Sequence, residues 1–467
     1  MDTPLTAPVS FGEAHFGQAP LHNRARVKRL IRVADAIAEH PGGSLPDKLH
    51  DPAGYQGLMR LVRHPTSTHG AVLHTHRQRT LEQARQHAGV VLFVHDGTEL
   101  DFTGKKSLTG LGQIGKGNRR GYICHNSLAV AAADGELLGL AHQILHRRAD
   151  VPKTETEAAK RERQTRESLL WVRACAAIGP APAGATWVDV CDRGADTFEF
   201  LDSEVVAQRL FVVRSHHDRA ITIGHQDSGP ASSLHAYARS LPEVGRRTVW
   251  VGGREGKAPR QATVTFAAGA VRVLPPKKKR GKHRGVPLLL WVVNAREVSP
   301  PPAEEAVEWM LLTNRSVTTK EEIVEVLDWY ERRWTAEDYH KAQKTGCQIE
   351  GPQFTAEERL QPVIALLSVV AVLLVNLRWQ GRQEQAQTKP AREVVPAVYV
   401  AVLSVQRHGE RRLDWTVQDF FLALARLGGY LPRHKKGQPG WQVLWRGWMR
   451  LHEMVEYALA AGLEKSD

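Results

Sequence analysis

The chain has 467 residues, 42% hydrophobic and 24% charged, which excludes wholesale disorder and suits two to four structural units at about 100–200 residues each. Lys and Arg total 63 against 50 Asp and Glu, and the resulting net charge of +13 asks for a polyanionic partner. Cys124, Cys175, Cys191 and Cys347 lie far apart with no C-x-x-C pair. Neither a disulfide framework nor a cysteine zinc site is expected, and a reducing cytosol is the expected setting.

The opening stretch MDTPLTAPVSFGEAHFG lacks the basic and apolar regions of a signal peptide. Val27, Leu30, Ile31, Ala34 and Ile37 then recur at helical spacing. Arg24, Lys28 and Arg32 take another face, with Arg26 and Arg29 beside it. This basic face suits a duplex-binding head or a merely solvated helix. After Pro41-Gly42-Gly43, short helices are expected around 55–62 and 71–87.

Strands and helices alternate from there. The apolar run 90–95 is a predicted strand, followed at once by Asp96-Gly97-Thr98. Further strands are expected at 121–132 and 137–145, and a charged helix at 155–174. The strand 187–191 ends in Asp192-Arg193-Gly194-Ala195-Asp196, ahead of a helix at 197–207 and a strand at 209–213. Acids just past the ends of core strands converge at one edge of an α/β sheet, which singles out Asp96 and Asp192, with Asp189 and Asp196 as fallbacks.

Between Arg246 and Pro287 there are 12 Lys or Arg and one acid, Glu255, so +11 of the +13 falls in about a tenth of the chain. Half of it is the run KKKRGKHR at 277–284, a loop bounded by Pro275-Pro276 and Gly285. Phosphate contact, plain solvation and a nuclear-import signal are its three readings. Flanking it, 263–266 and 271–274 predict a hairpin about Ala268-Gly269, with strands at 288–293 and 307–313. A long helix is expected over 320–344, with Ile323, Val326, Leu327, Tyr330 and Trp334 on its inner stripe. On it Tyr330, Arg333, Glu337 and Lys344 share a face, an acid beside groups able to hold phosphate. The greasy run 363–377 is about 15 residues long where a bilayer needs about 20, so it reads as a buried helix. Trp441, Trp445 and Trp448 form an aromatic stripe for a core or an interface.

Three motifs carry a resemblance: Asp96-Gly97-Thr98, V-C-D-R-G-A-D at 190–196, and Y-x2-R-x3-E-x6-K at 330–344. Together they resemble the insertion-sequence-four type of bacterial DDE transposase. Stretches at 211–215, 309–313, 340–346 and 425–429 extend the likeness, while the segment from about 215 to 307 aligns only at its ends and position 335 is Thr where relatives tend to have Arg. The resemblance implies an α/β fold: an RNase H-like mixed-sheet core interrupted by an inserted β-rich domain, flanked by N- and C-terminal helical domains. The expected boundaries are 1–72 for an end-binding helical domain, 73–214 and 317–378 for the two parts of the core, 215–316 for the insertion, and 379–467 for C-terminal dimerisation.

By the same resemblance Asp96, Asp192 and Glu337 would hold two Mg²⁺ ions, Mn²⁺ being able to substitute. Carboxylate oxygens are the ligands such hard cations prefer. Tyr330, Arg333 and Lys344 would hold phosphates near the cut, Arg214 and Trp309 a hairpinned end, and Arg26 and Arg29 the terminal repeat. Lys277, Lys278, Lys279 and Arg280 are DNA contacts inferred from charge. Cut-and-paste transposition of double-stranded DNA by a homodimer follows, in a bacterial cytoplasm at the nucleoid and without a membrane. The alternatives are an RNase H-like nuclease without strand transfer and a domesticated DNA-binding protein.

Overall fold

A computed structural model of the chain describes residues 9–40, 42–49, 51–149, 154–223, 232–251, 260–277, 282–302, 304–381, 383–431 and 439–461. Five helices come first: α1 (Phe11–Phe16), α2 (Arg24–Glu39), α3 (Leu45–Leu49), α4 (Pro52–Val62) and α5 (His69–Gln86). Their starts are written in the sequence. Asn23, Asp51 and Thr68 each accept from backbone N–H groups of the first turn, and Pro52 opens α4. Of the predicted apolar face of α2, Leu30, Ala34 and Ile37 are buried and Val27 and Ile31 partly so, while Val33 is buried outside it. Arg24, Lys28 and Arg32 are exposed. Arg26 instead donates to the Leu21 carbonyl at 2.6 Å, and Arg29 lies along Gly57.

The central sheet begins with β1 (Val91–Asp101), β2 (Gly112–Gln113), β3 (Arg120–Ala131) and β4 (Leu137–His146). After α6 (Glu157–Glu162) and α7 (Leu170–Ile178) come β5 (Trp187–Cys191), α8 (Phe198–Val206) and β6 (Leu210–Arg214). Five of these strands lie in the order β4-β3-β1-β5-β6. β1 is antiparallel to β3 but parallel to β5, and β5 is parallel to β6. The runs at Val91–His95 and Trp187–Cys191 are fully buried, which accounts for their unbroken apolar character.

The sheet then continues through β7 (Ala220–Ile223), β8 (Ser232–Ser233), β9 (Gly245–Val251), β10 (Arg260–Val273), β11 (Leu288–Glu297) and β12 (Glu308–Thr313), with α9 (Leu234–Ser240) between β8 and β9. β12 joins the two parts by pairing with β6, and the 12 strands form one mixed sheet. Next are α10 (Lys320–Glu331), α11 (Trp334–Lys341) and α12 (Glu357–Gln380), and the chain closes with α13 (Ala397–His408), α14 (Val417–Leu427) and α15 (Trp441–Ala460). The protein is thus α/β, a large mixed sheet with helices at both ends.

Among the described residues α12 is the one helix long and apolar enough to cross a membrane, and 78% of its apolar stretch is buried. It packs against α5, β4 and α15, which explains an apolar run with almost no polar face.

Several expectations need correction. The hairpin about Ala268-Gly269 does not form, because both residues pair with β11 in the middle of one 14-residue strand. Gly269 is there for clearance: a Cβ would lie 2.5 Å from the Tyr237 hydroxyl. The charged helix at 155–174 breaks between α6 and α7. The helix at 320–344 breaks too: Arg333 N–H donates to the Tyr330 carbonyl, three residues back, at 3.1 Å. That tightened turn leaves Trp334 48% exposed rather than on the inner stripe. A π-helical turn, Ala342–Gly346, then carries Lys344.

Trp445 is buried and Trp448 stacks on Tyr399 at 5.2 Å, so this part of the C-terminal stripe packs within the chain. The basic region is less cationic than its composition suggests. Arg246, Arg247, Arg260 and Arg284 pair with Glu243, Asp328, Glu297 and Asp202, acids that all come from outside the segment. Lys278, Lys279 and Arg280 lie outside the described residues, as do Arg254 and Lys257.

Candidate functional site: an acidic edge bridged by one arginine

The parallel pairing of β1 with β5 ends at His95 and Cys191, and the next residue on each strand is an acid, Asp96 and Asp192. Asp96 does not lie past the end of its strand, as the predicted strand at 90–95 implied. β1 runs on past it, with Asp96 opposite Asn126 of β3. Asp192 does leave its strand, and caps the following 3₁₀ turn by accepting from Gly194 N–H at 3.0 Å. Gly194 lies flat on Trp171 of α7, where a Cβ would sit 2.5 Å from the indole, so this turn has little freedom.

Arg333 closes the cluster. One nitrogen is 2.9 Å from an Asp96 oxygen and the other 2.7 Å from Glu337, so a single guanidinium bridges acids from β1 and α11. Side-chain exposure is 13% for Arg333 and 14% for Asp96, low enough for these charges to be felt strongly. Burial pushes the Asp96 carboxyl up to about 6, with the Asp192 charge adding to it. Burial also raises the Asp192 carboxyl above the usual range. Two part-buried acids whose surroundings disfavour ionisation thus lie beside Glu337, with Arg333 bridging two of the three carboxylates and the Arg214 charge acting on Asp192.

The surroundings are aromatic and basic. Tyr330 is hydrogen-bonded to Arg214 at the end of β6, and its ring meets Trp309 edge-on at 5.8 Å. Asp96, Asp192, Glu337, Tyr330, Arg333, Arg214 and Trp309 are therefore brought into one neighbourhood. Lys344 is not in contact with the three acids; its ammonium lies 3.8 Å from Glu350. Arg26 and Arg29 are on α2 and Lys277 follows β10.

The fallback acids have structural duties. Asp189 is buried between His95, 2.8 Å away, and Arg209, which binds both its oxygens at 2.8 Å. Asp196 accepts from His216 and His217 N–H at 2.6 and 2.8 Å and pairs with Arg219. The signal for the Asp189 network was a His and an Asp inside otherwise apolar strands.

No family model matches the chain. Among curated proteins it is similar to a glutamyl-tRNA reductase of Haloarcula marismortui, 25% identical over 227 residues. That match covers 42% of this chain and 48% of the reductase, so the chain spans about half the length of the curated relative it matches. The comparison corrects the transposase resemblance: the relative carries a reductase's name. DDE transposition, recombination and endonuclease activity, and with them the nuclease and domesticated-binder alternatives, are not assigned to this chain.

Proposed function

We propose that the chain takes divalent cations at Asp96, Asp192 and Glu337 and engages the phosphates of double-stranded DNA beside them. The observation that carries this reading is Arg333, whose guanidinium bridges Asp96 and Glu337 next to Asp192. All three acids offer hard oxygen donors, the set that Mg²⁺ or Mn²⁺ prefers, and an added cation would relieve the cost that burial places on the charged forms of Asp96 and Asp192. When bound, such an ion would offset the charge of the acids and of a phosphate held beside them. Arg333, Arg214 and Tyr330 orient the phosphate, and Trp309 shields one side of it. The strand order β4-β3-β1-β5-β6, with its first three strands antiparallel and the rest parallel, supports an RNase H-like core. Four buried free thiols are in keeping with a reducing, cytoplasmic setting.

The reductase's name suggests a nucleotide cofactor, and the chain does contain a G-x-G-x-x-G sequence at Gly110, Gly112 and Gly115. A dinucleotide fingerprint needs a strand before it and a helix after it, whose N-terminus holds the pyrophosphate. Here the glycines precede β3, with Gly112 in the edge strand β2, so the reductase reading gains no support from them.

The test is duplex binding by fluorescence anisotropy with Mg²⁺ and with EDTA at one ionic strength. Mg²⁺ is expected to tighten binding at least tenfold, and Asp192→Asn to abolish that gain. Equal affinity in Mg²⁺ and EDTA would overturn the proposal.

A further inference from the structure

On the far side of the Asp192 turn, a cleft opens between the α6–α7 segment, the start of α8 and the end of β10. Its main cavity is about 720 Å³ and holds Lys160, Arg163, Arg166, Arg219 and Lys277. A second cavity of about 330 Å³, reaching Arg148, shares the wall formed by Arg163, Arg166 and Glu167. The two cavities adjoin along that wall and are taken together as a groove. Its charged lining is six cations against Glu167, Glu199 and Asp218.

The cations are held in place. Arg219 binds both the carboxylate and the carbonyl of Asp196 at 2.6 Å, which ties it to the turn that carries Asp192. Arg166 pairs with Glu199, and Arg163 with Glu155 at 3.3 Å. Alongside, Lys282 N–H donates to Glu199 and the Arg284 guanidinium to Asp202, both at 2.8 Å. Phe198, Leu274, Pro275 and Pro276 give the same groove an apolar stretch. Pre-set cations beside an apolar stretch match the chemistry of a nucleic-acid strand, with phosphates on one side and sugar and base faces on the other.

We propose that this groove binds a single strand of nucleic acid that continues from the acidic edge past the Asp192 turn. The proposal rests on the reading of the acidic edge only for where that strand comes from; the groove's affinity is its own. Lys160 and Lys277, set among arginines that Glu155, Glu167, Glu199 and Asp196 hold in place, favour a strand over a single small anion, because each further phosphate adds counterion release.

The experiment measures binding of fluorescein-labelled oligodeoxythymidine to the full chain across a NaCl series. Replacing Lys160, Arg163 and Lys277 together by Gln is expected to flatten the slope of log affinity against log salt by about 2, three charges at about 0.7 each. Arg85→Gln, on a distant surface pair, keeps the wild-type slope. The exposed Lys277→Glu alone is expected to weaken binding at least threefold, and it tests the groove even if the triple variant folds poorly. An unchanged slope, or full displacement of the oligonucleotide by an equal concentration of thymidine monophosphate, overturns the proposal. Mg²⁺ uptake by calorimetry is read in parallel. A wild-type chain that takes up Mg²⁺ but no oligonucleotide overturns the groove alone. One that binds the oligonucleotide with the expected slope but no Mg²⁺ supports the groove and overturns the acidic-edge reading.

Discussion

Asp189→Ala tests the foundation on which Asp96 stands. Asp189 is fully buried, and its oxygens make three contacts of 2.8 Å, two with Arg209 and one with His95, the residue before Asp96. Burial works against its charge, but Arg209 and His95 outweigh that and hold the carboxyl below the usual range. Removing it leaves the Arg209 guanidinium buried without its main partner, and breaking such a pair costs about 3–5 kcal/mol. The depressed carboxyl contributes stability that is fully present above about pH 4 and lost as pH falls below it, so the gap between wild type and variant narrows in acid. Thermal unfolding followed by far-UV circular dichroism at pH 7 and pH 3.5 measures both effects. Asp189→Leu with Arg209→Met, which removes both charges, is expected to recover most of the loss. A single variant within about 1 kcal/mol of wild type at pH 7 would refute the reasoning that the pair is a structural support.

Three further outcomes are expected. Asp96→Asn raises the melting temperature in EDTA at pH 7.5. Its carboxyl, raised to about 6 from 3.8, disfavours the folded charged form by up to about 3 kcal/mol. Native stability falls as pH rises through that window, so the advantage of the variant vanishes below pH 3.8; a variant that melts earlier than wild type at pH 7.5 counts against it. Gly194→Ala drives a methyl into Trp171 and shifts Asp192, weakening Mg²⁺ uptake about tenfold by calorimetry while the far-UV spectrum is retained. Leu367→Ala, at a fully buried position of α12, costs about 2–5 kcal/mol, read as a fall in melting temperature with the fold intact.

Much of the central architecture was legible. Buried parallel strands read as unbroken apolar runs, and Asp96 and Asp192 stood out because an acid ends each run. The spacing of Arg333 and Glu337 also survived, since a tightened turn between α10 and α11 still leaves them four residues apart on one helical turn. What failed depended on partners remote in the chain. Gly269 looked like a turn, but β11 supplies a partner along its whole strand. The basic segment looked like bare charge, but Asp202, Glu297 and Asp328 come to it from elsewhere. The motifs at Asp96, Asp192 and 330–344 were read as a transposase signature, and the comparison with the reductase corrects that inference while leaving the geometry of the acids as it is.

Asp96 and Glu337, bridged by Arg333, are proposed to form a divalent-cation site with Asp192. Isothermal titration of the full chain with Mg²⁺ at pH 7.5 tests it most directly. The account predicts saturable uptake, weakened at least tenfold in each of Asp96→Asn, Asp192→Asn and Glu337→Gln and unchanged in Asp134→Asn. Uptake that is absent in the wild type, or equal in all of these variants, would contradict it.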